Sequence, residues 1–301
     1  MVKQHMKPLI IGYGEMGHAF AHLLTPAYRP NVWHRHLDDA DKKLHDWASQ
    51  ASHIFFCLPA TGLAVVSSTL NAALPEDCVC ASIAKGLDDQ GHLPVTILEQ
   101  NLGDRIGFGV IYGPMISEEI VVGKPAYAHV AASTQTHQQA IMQCFADTAL
   151  SLQAHDDMVG LSWAAIMKNV YAILFGLADG LGLGDNARGA LAVETSREMQ
   201  AILQHMGADP ESAWTLGGLG DLITTATSAG SHHHELGLTL ATMNPGNDRQ
   251  QLKGEGPHSI RLLAEKQLLP LERFPLAQLV AQLLSNNAAD ARDLLLKALA
   301  R

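Results

Sequence analysis

The chain has 301 residues, too many for one small core and about the length of two ordinary domains. With 47% apolar and 17% charged residues it is a globular sequence, which excludes a disordered or fibrous chain. The formal net charge of −10 excludes a general affinity for nucleic acid or anionic membrane, so an anionic ligand has to be held by a local site.

In chain order, the first half alternates short apolar runs with helix-length segments. Leu9–Gly12, Asn31–His34, Ile54–Pro59, Cys78–Ala84, Ile106–Tyr112 and Ala126–Ala132 read as strands, and runs this apolar predict a parallel sheet covered on both faces. A helix ending around Leu152 closes this half, and from about Ala154 long Ala-, Leu- and Met-rich helices take over. The expected fold is therefore α/β: an N-terminal Rossmann-type parallel sheet over residues 1–154 and a C-terminal all-helical domain over 155–301. Within the latter, Leu161–Ala178 approaches the length of a membrane span, but Lys168 and Asn169 at its middle favour a buried helix of a soluble protein and no span.

The residues from Met1 to Pro8 lead straight into a strand and lack the longer apolar core of a signal peptide. The four cysteines, Cys57, Cys78, Cys80 and Cys144, are scattered and complete no zinc pattern. They read as small core residues in a reducing compartment, so a cytoplasmic location is expected.

Leu9 to Gly17 is a strand running into a G-x-G-x-x-G turn and a helix, His18 to Leu24. Gly12 permits the tight turn, Gly14 lets backbone approach a pyrophosphate, Gly17 allows close helix packing, and the helix N-terminus attracts the anion. Gly12, Gly14, Glu15, Met16 and Gly17 are thus the expected dinucleotide-binding residues, together with Pro59 at the end of the third strand. The second strand ends in His34-Arg35-His36, with no acidic residue before Asp38 to hold a ribose hydroxyl. Arg35 suits the 2′-phosphate of NADP, which is favoured over NAD.

Lys168 lies amid apolar surface, and a charge buried there requires a partner. Desolvation also lowers a lysine's pKa towards the range of an acid/base catalyst for a carbonyl; a structural ion pair is the alternative. The expected partner is Asp221, at the end of the glycine-rich run Gly217–Gly220. Lys85 follows the fourth strand, where loops at strand C-terminal ends face a cofactor crevice, and is placed to touch substrate.

The ordered set Ala84-Lys85-Gly86, Gly113-Pro114, Met167-Lys168-Asn169-Val170, Gly184-Asp185-Asn186-Ala187-Arg188, Gly218-Leu219-Gly220-Asp221-Leu222 and Thr225 resembles the bacterial-type NAD(P)-dependent glycerol-3-phosphate dehydrogenases from the glycine motif to about residue 260. The resemblance implies reduction of dihydroxyacetone phosphate to sn-glycerol 3-phosphate, with Lys168 as general acid, Asp221 beside it, and Lys85, Asn169 and Thr225 on the substrate. It also implies a cofactor contact at Glu255. Several positions depart from the family: Ser231-His232-His233 stands for Ser-Arg-Asn, Met115-Ile116 follows Gly-Pro, and Ser162 and Glu194 replace a glutamate and an arginine.

Protonated histidine binds phosphate, so Ser231, His232 and His233 remain candidate substrate-binding residues, with a solvated loop as the plain alternative and no metal expected at the histidine triplet. The partners implied are a small phosphorylated ketone and a second copy of the chain in a homodimer. A reductase of another small ketone or 3-hydroxy acid, and a non-catalytic nucleotide sensor, are the competing readings.

Overall fold

The structure, a computed structural model, describes residues 6–228, 230–244, 247–285 and 290–299. The chain divides into two compact units: one runs to Asp88 and resumes over His92–Ser162, and the other takes Asp89–Gly91 and everything from Trp163 on. The division read from sequence, between 154 and 155, falls after the last strand; the compact units part a little further along, inside the next helix.

In the first unit the described residues form one seven-stranded sheet of order β2-β1-β3-β4-β5-β6-β7. The strands are β1 (Pro8–Ile11), β2 (Asn31–Trp33), β3 (His53–Phe56), β4 (Val79–Ser82), β5 (Gly107–Tyr112), β6 (Ala126–Ala132) and β7 (Leu150–Ala154). Helices α1 (Glu15–Tyr28), α2 (Ala40–Ala48), α3 (Ala60–Leu70), α4 (Pro94–Leu102), α5 (Ser117–Val121) and α6 (Gln135–Phe145) connect them. Phe20 of α1, Phe55 of β3 and Phe145 of α6 meet edge to face at 5.1–5.8 Å, fastening both helices to one sheet face. Each such pair adds about 0.5–1.5 kcal/mol beyond the area it buries.

Two expectations need correction. The sheet is not wholly parallel: β6 runs antiparallel to β5, with Tyr112 opposite His129 and Gly109 opposite Ala132. The span 113–125 contains only the five-residue α5, too little helix to carry the chain across a face for a parallel return. The segment around Leu152 is a strand rather than the end of a helix, pairing in parallel with β6. β7 lies at the sheet edge, buried at Leu150 and largely exposed beyond, so it lacks the continuous apolar run of an inner strand.

His53 opens β3 in a buried position, stacked on Phe55, its Nδ1 3.0 Å from the Ser52 hydroxyl. Burial lowers its pKa below the ordinary 6.5, while a backbone hydrogen bond at Ala140 and the charge of Asp77 pull the other way. The unfolded chain therefore binds the proton more readily, and the stability from a neutral His53 is present above about pH 6.5 and lost as pH falls below it. His53→Leu should flatten the fall in Tm between about pH 7 and 5, one proton being worth at most about 1.4 kcal/mol per pH unit. Equal slopes for wild type and variant would show that His53 is not the titrating group.

The second unit is helical: α7 (Met158–Gly180, begun in the first unit), α8 (Asp185–His205), α9 (Asp221–Thr227), α10 (His232–Thr242), α11 (Glu255–Glu265), α12 (Pro275–Leu283) and α13 (Ala291–Leu299). Helix α7 is apolar all round, and 89% of its most apolar 18-residue window is buried in protein, which makes it a core helix. Helix α10 crosses it at near-backbone contact. A Cβ at Gly176 would strike the His234 carbonyl, and one at Gly237 the Ile173 carbonyl and the Leu177 amide.

Candidate active site

In the first unit the expected cofactor residues gather at the C-terminal edge of the parallel strands. Gly12 has φ +102°, its amide donates to the Trp33 carbonyl at 2.9 Å, and a Cβ there would run into the Cys57 carbonyl and Leu58. A Cβ at Gly17 would collide with the Gly12 carbonyl, so both glycines are demanded by close backbone approach. Gly14 differs: a Cβ there meets nothing within 4 Å, and as N-cap of α1 it makes no side-chain cap bond. The first turn, with Glu15 exposed and Met16 half-buried, thus presents orphan N–H groups beside open space, which fits a dinucleotide pyrophosphate.

Pro59 caps α3 in extended conformation at the end of β3. Arg35 is exposed beyond β2, its Nε donating to His36 Nε2 at 3.3 Å. Sequence reasoning missed Tyr13: its exposed ring stacks on His18 (3.6 Å) and His34 (5.8 Å), forming an aromatic wall between the glycine turn and the end of β2. An aromatic residue inside the glycine turn was the available signal. Lys85 follows β4, half-buried, with Nζ 3.4 Å from the Gly113 carbonyl, in a loop steadied by Tyr112 Oη donating to the Ala84 carbonyl at 2.7 Å.

The second unit builds a different constellation. Lys168 and Asn169, in the middle of α7, are 5% and 2% exposed. Lys168 Nζ lies 3.1 Å from Asp221 Oδ2 and donates to Thr225 Oγ1 at 2.8 Å. Asp221 and Thr225 are one turn apart on α9 and so share a face. The π-turn Leu216–Gly220 delivers Asp221 to that position, and Gly218 is required in it because a Cβ would strike the Ala213 carbonyl. The buried lysine expected from sequence therefore has the expected partner, and Thr225 is a second one.

The histidine triplet is engaged residue by residue. Ser231 Oγ caps α10 by accepting the His234 amide at 3.3 Å. His232 Nε2 meets the Lys253 carbonyl at 2.9 Å, and His233 Nε2 accepts the Gly256 amide at 3.1 Å. His234 Nε2 lies 2.7 Å from Asp179 Oδ2, whose other oxygen accepts Arg188 Nε at 2.6 Å. Partial burial works to raise the Asp179 carboxyl, but the bonds from Arg188 and His234 outweigh it and hold the group below its ordinary value. Glu255 is half-buried in the first turn of α11. Among the described residues no three His, Cys, Asp or Glu side chains cluster in a way that could hold a metal ion.

Residues 25–138 match the N-terminal domain, and residues 157–294 the C-terminal domain, of the NAD-dependent glycerol-3-phosphate dehydrogenases. The chain is 31% identical over 265 residues to the glycerol-3-phosphate dehydrogenase [NAD(P)+] of Gloeobacter violaceus, covering 86% of each chain. It belongs to the NAD-dependent glycerol-3-phosphate dehydrogenase family. The Acidovorax enzyme of the same name is 34% identical over 217 residues, 70% of this chain and 66% of that one. In fold, the chain superposes on the glycerol-3-phosphate dehydrogenase of Coxiella burnetii with TM-score 0.86 at 24% identity, covering 99% of this chain and all of that one. A ketopantoate reductase from Ralstonia eutropha shares the fold more distantly, with TM-score 0.59 at 15% identity over 97% and 99% of the two chains. The histidines at 232–234 are thus built into tertiary hydrogen bonds rather than lying in a loose polar loop.

Proposed function

We propose that this protein is an NAD(P)-dependent glycerol-3-phosphate dehydrogenase that reduces dihydroxyacetone phosphate to sn-glycerol 3-phosphate. The observation that carries the reading is the buried Lys168–Asp221–Thr225 constellation on α7 and α9. Lys168 holds a proton where a ketone oxygen gains charge and passes it on as general acid; Asp221 and Thr225 fix its ammonium, and Asn169 and Lys85 orient substrate. Gly12, Gly14, Glu15, Met16, Gly17, Pro59 and Glu255 hold the dinucleotide, whose nicotinamide supplies the hydride when bound. Four cysteines without disulfides favour a cytoplasmic enzyme. A homodimer is the expected assembly, checked by measuring the mass in solution with light scattering.

Oxidation of NADPH and NADH against phosphorylated and unphosphorylated small ketones tests the reading, and turnover confined to an unphosphorylated ketone would overturn it. That second reading draws on His232 and His233, which stand where the resemblance implies an arginine and an asparagine. NADP is the favoured cofactor, because Arg35 is exposed beyond β2 where an NAD-selective fold carries an acid. Arg35→Asp should shift kcat/KM towards NADH by roughly ten- to hundredfold, the worth of one charge-assisted clamp. A wild type that prefers NADH, with an unchanged ratio in the variant, removes Arg35 as selector.

A further inference from the structure

The N-terminus of α10 is seated on α7 by glycines and in turn grips the start of α11. Gly176, Gly180 and Gly237 bring α7 and α10 so close that a Cβ at Gly180 would lie 2.5 Å from Ala241 Cβ. From this seat His232 and His233 both reach the segment Lys253–Gly256. The Lys253 carbonyl can only accept, so His232 carries its proton on Nε2. The Gly256 amide can only donate, so His233 Nε2 is unprotonated. The two adjacent imidazoles thus make opposite bonds to one loop, one as donor and one as acceptor.

That loop has little freedom of its own. Gly254, the N-cap of α11, has φ +136° and no side chain to cap the helix, so the imidazole of His233 supplies an acceptor from the neighbouring helix. Gly256 is wedged between two walls: a Cβ there would lie 2.8 Å from the Asn169 carbonyl on α7 and 2.8 Å from His233 Cδ2. A Cβ at Gly254 would stand 3.1 Å from the His232 ring. Glu255 sits between these two glycines, so its backbone is fixed on either side.

We propose that His232 and His233 are positioning residues for the dinucleotide: they clasp Lys253–Gly256 against Asn169, hold Glu255 in place, and thereby set cofactor affinity rather than substrate-phosphate binding. This rests on the reading that Glu255 contacts the cofactor. While it accepts the Gly256 amide, the His233 ring offers no N–H at Nε2 to a phosphate.

His233→Ala and His233→Asn, compared in the full-length protein, test the clasp. Loss of a capping acceptor should raise KM for NADPH about five- to tenfold in the alanine variant, with kcat and KM for dihydroxyacetone phosphate within about twofold. Asparagine, whose Oδ1 accepts an amide N–H and does not titrate, should restore KM for NADPH to within about twofold. Amide exchange at Gly256 should accelerate about tenfold in His233→Ala and return in His233→Asn, a readout independent of the cofactor. The proposal is overturned if His233→Ala raises KM for dihydroxyacetone phosphate with KM for NADPH unchanged, if asparagine fails to rescue, or if exchange at Gly256 does not change. Glu255→Gln separates the underlying reading: unchanged KM for NADPH in that variant, with the exchange result as expected, sinks the Glu255 contact and the affinity role while leaving the hydrogen-bonded clasp in place.

Discussion

Lys168→Ala is expected to lower kcat by about 10²–10⁴-fold, the usual worth of a positioned general acid, with dinucleotide affinity nearly unchanged. The reason lies in where the amine sits. Its Nζ is buried within 3.1 Å of Asp221 and 2.8 Å of Thr225, so it is fixed in two directions. Removing it also takes the Lys168 partner from the Asp221 carboxylate, which is 3% exposed, and breaking a buried ion pair from one side costs about 3–5 kcal/mol. Lost turnover could then reflect lost folding. The double variant Lys168→Ala/Asp221→Asn removes both charges and should recover most of the Tm without recovering turnover. Dinucleotide binding followed by fluorescence completes the separation. Near-normal kcat in Lys168→Ala would eliminate the lysine mechanism.

The largest expected effect on stability is at Glu198, in the middle of α8 and 8% exposed. Its Oε1 accepts Tyr171 Oη at 2.9 Å and the Ala277 amide at 2.7 Å, and its Oε2 accepts the Leu276 amide at 2.9 Å. Helix α12 begins at Pro275 and receives no cap bond from Phe274, so Glu198 caps it from another helix while also tying down α7. Burial raises the Glu198 carboxyl above its ordinary value, and the two backbone bonds and the Tyr171 bond resist that rise. Glu198→Ala leaves two amides and a phenol without their acceptor. At about 1–3 kcal/mol for each of the three stranded groups the loss is about 3–9 kcal/mol, or roughly 5–15 °C in Tm. Glu198→Gln should fall between alanine and wild type, because a carboxamide offers one oxygen to two oxygens' worth of donors and turns its NH₂ towards an amide. Thermal unfolding measures all three, and a glutamine variant as stable as wild type would show that the carboxylate's second oxygen does not matter.

What was legible in the sequence follows the range of the interactions involved. The turn from Gly12 to Gly17 is strand, tight turn and helix within ten residues, and its glycines answer to backbone distances set locally. Lys168 was legible for the opposite reason: a charge in an apolar run cannot be buried alone, so a partner had to exist, and the glycine-rich approach to Asp221 marked it. β7 was misread because half its surface faces solvent at the sheet edge, and β6 because strand direction depends on the length of the connection rather than on the strand's own residues.

The sequence by itself therefore determined the dinucleotide fold of the first unit, the helical second unit, the family, and the lysine with its acidic partner, since each rests on local backbone geometry or on the cost of a buried charge. Only the tertiary structure decided what the three adjacent histidines do. As neighbours in sequence they look equivalent, but glycine-mediated contact of α10 with α7 aims His232 at a carbonyl, His233 at an amide and His234 at a carboxylate. Hydrogen-bond direction then assigns a donor to one and an acceptor to the next, a distinction that depends on helices brought together from positions far apart in the chain.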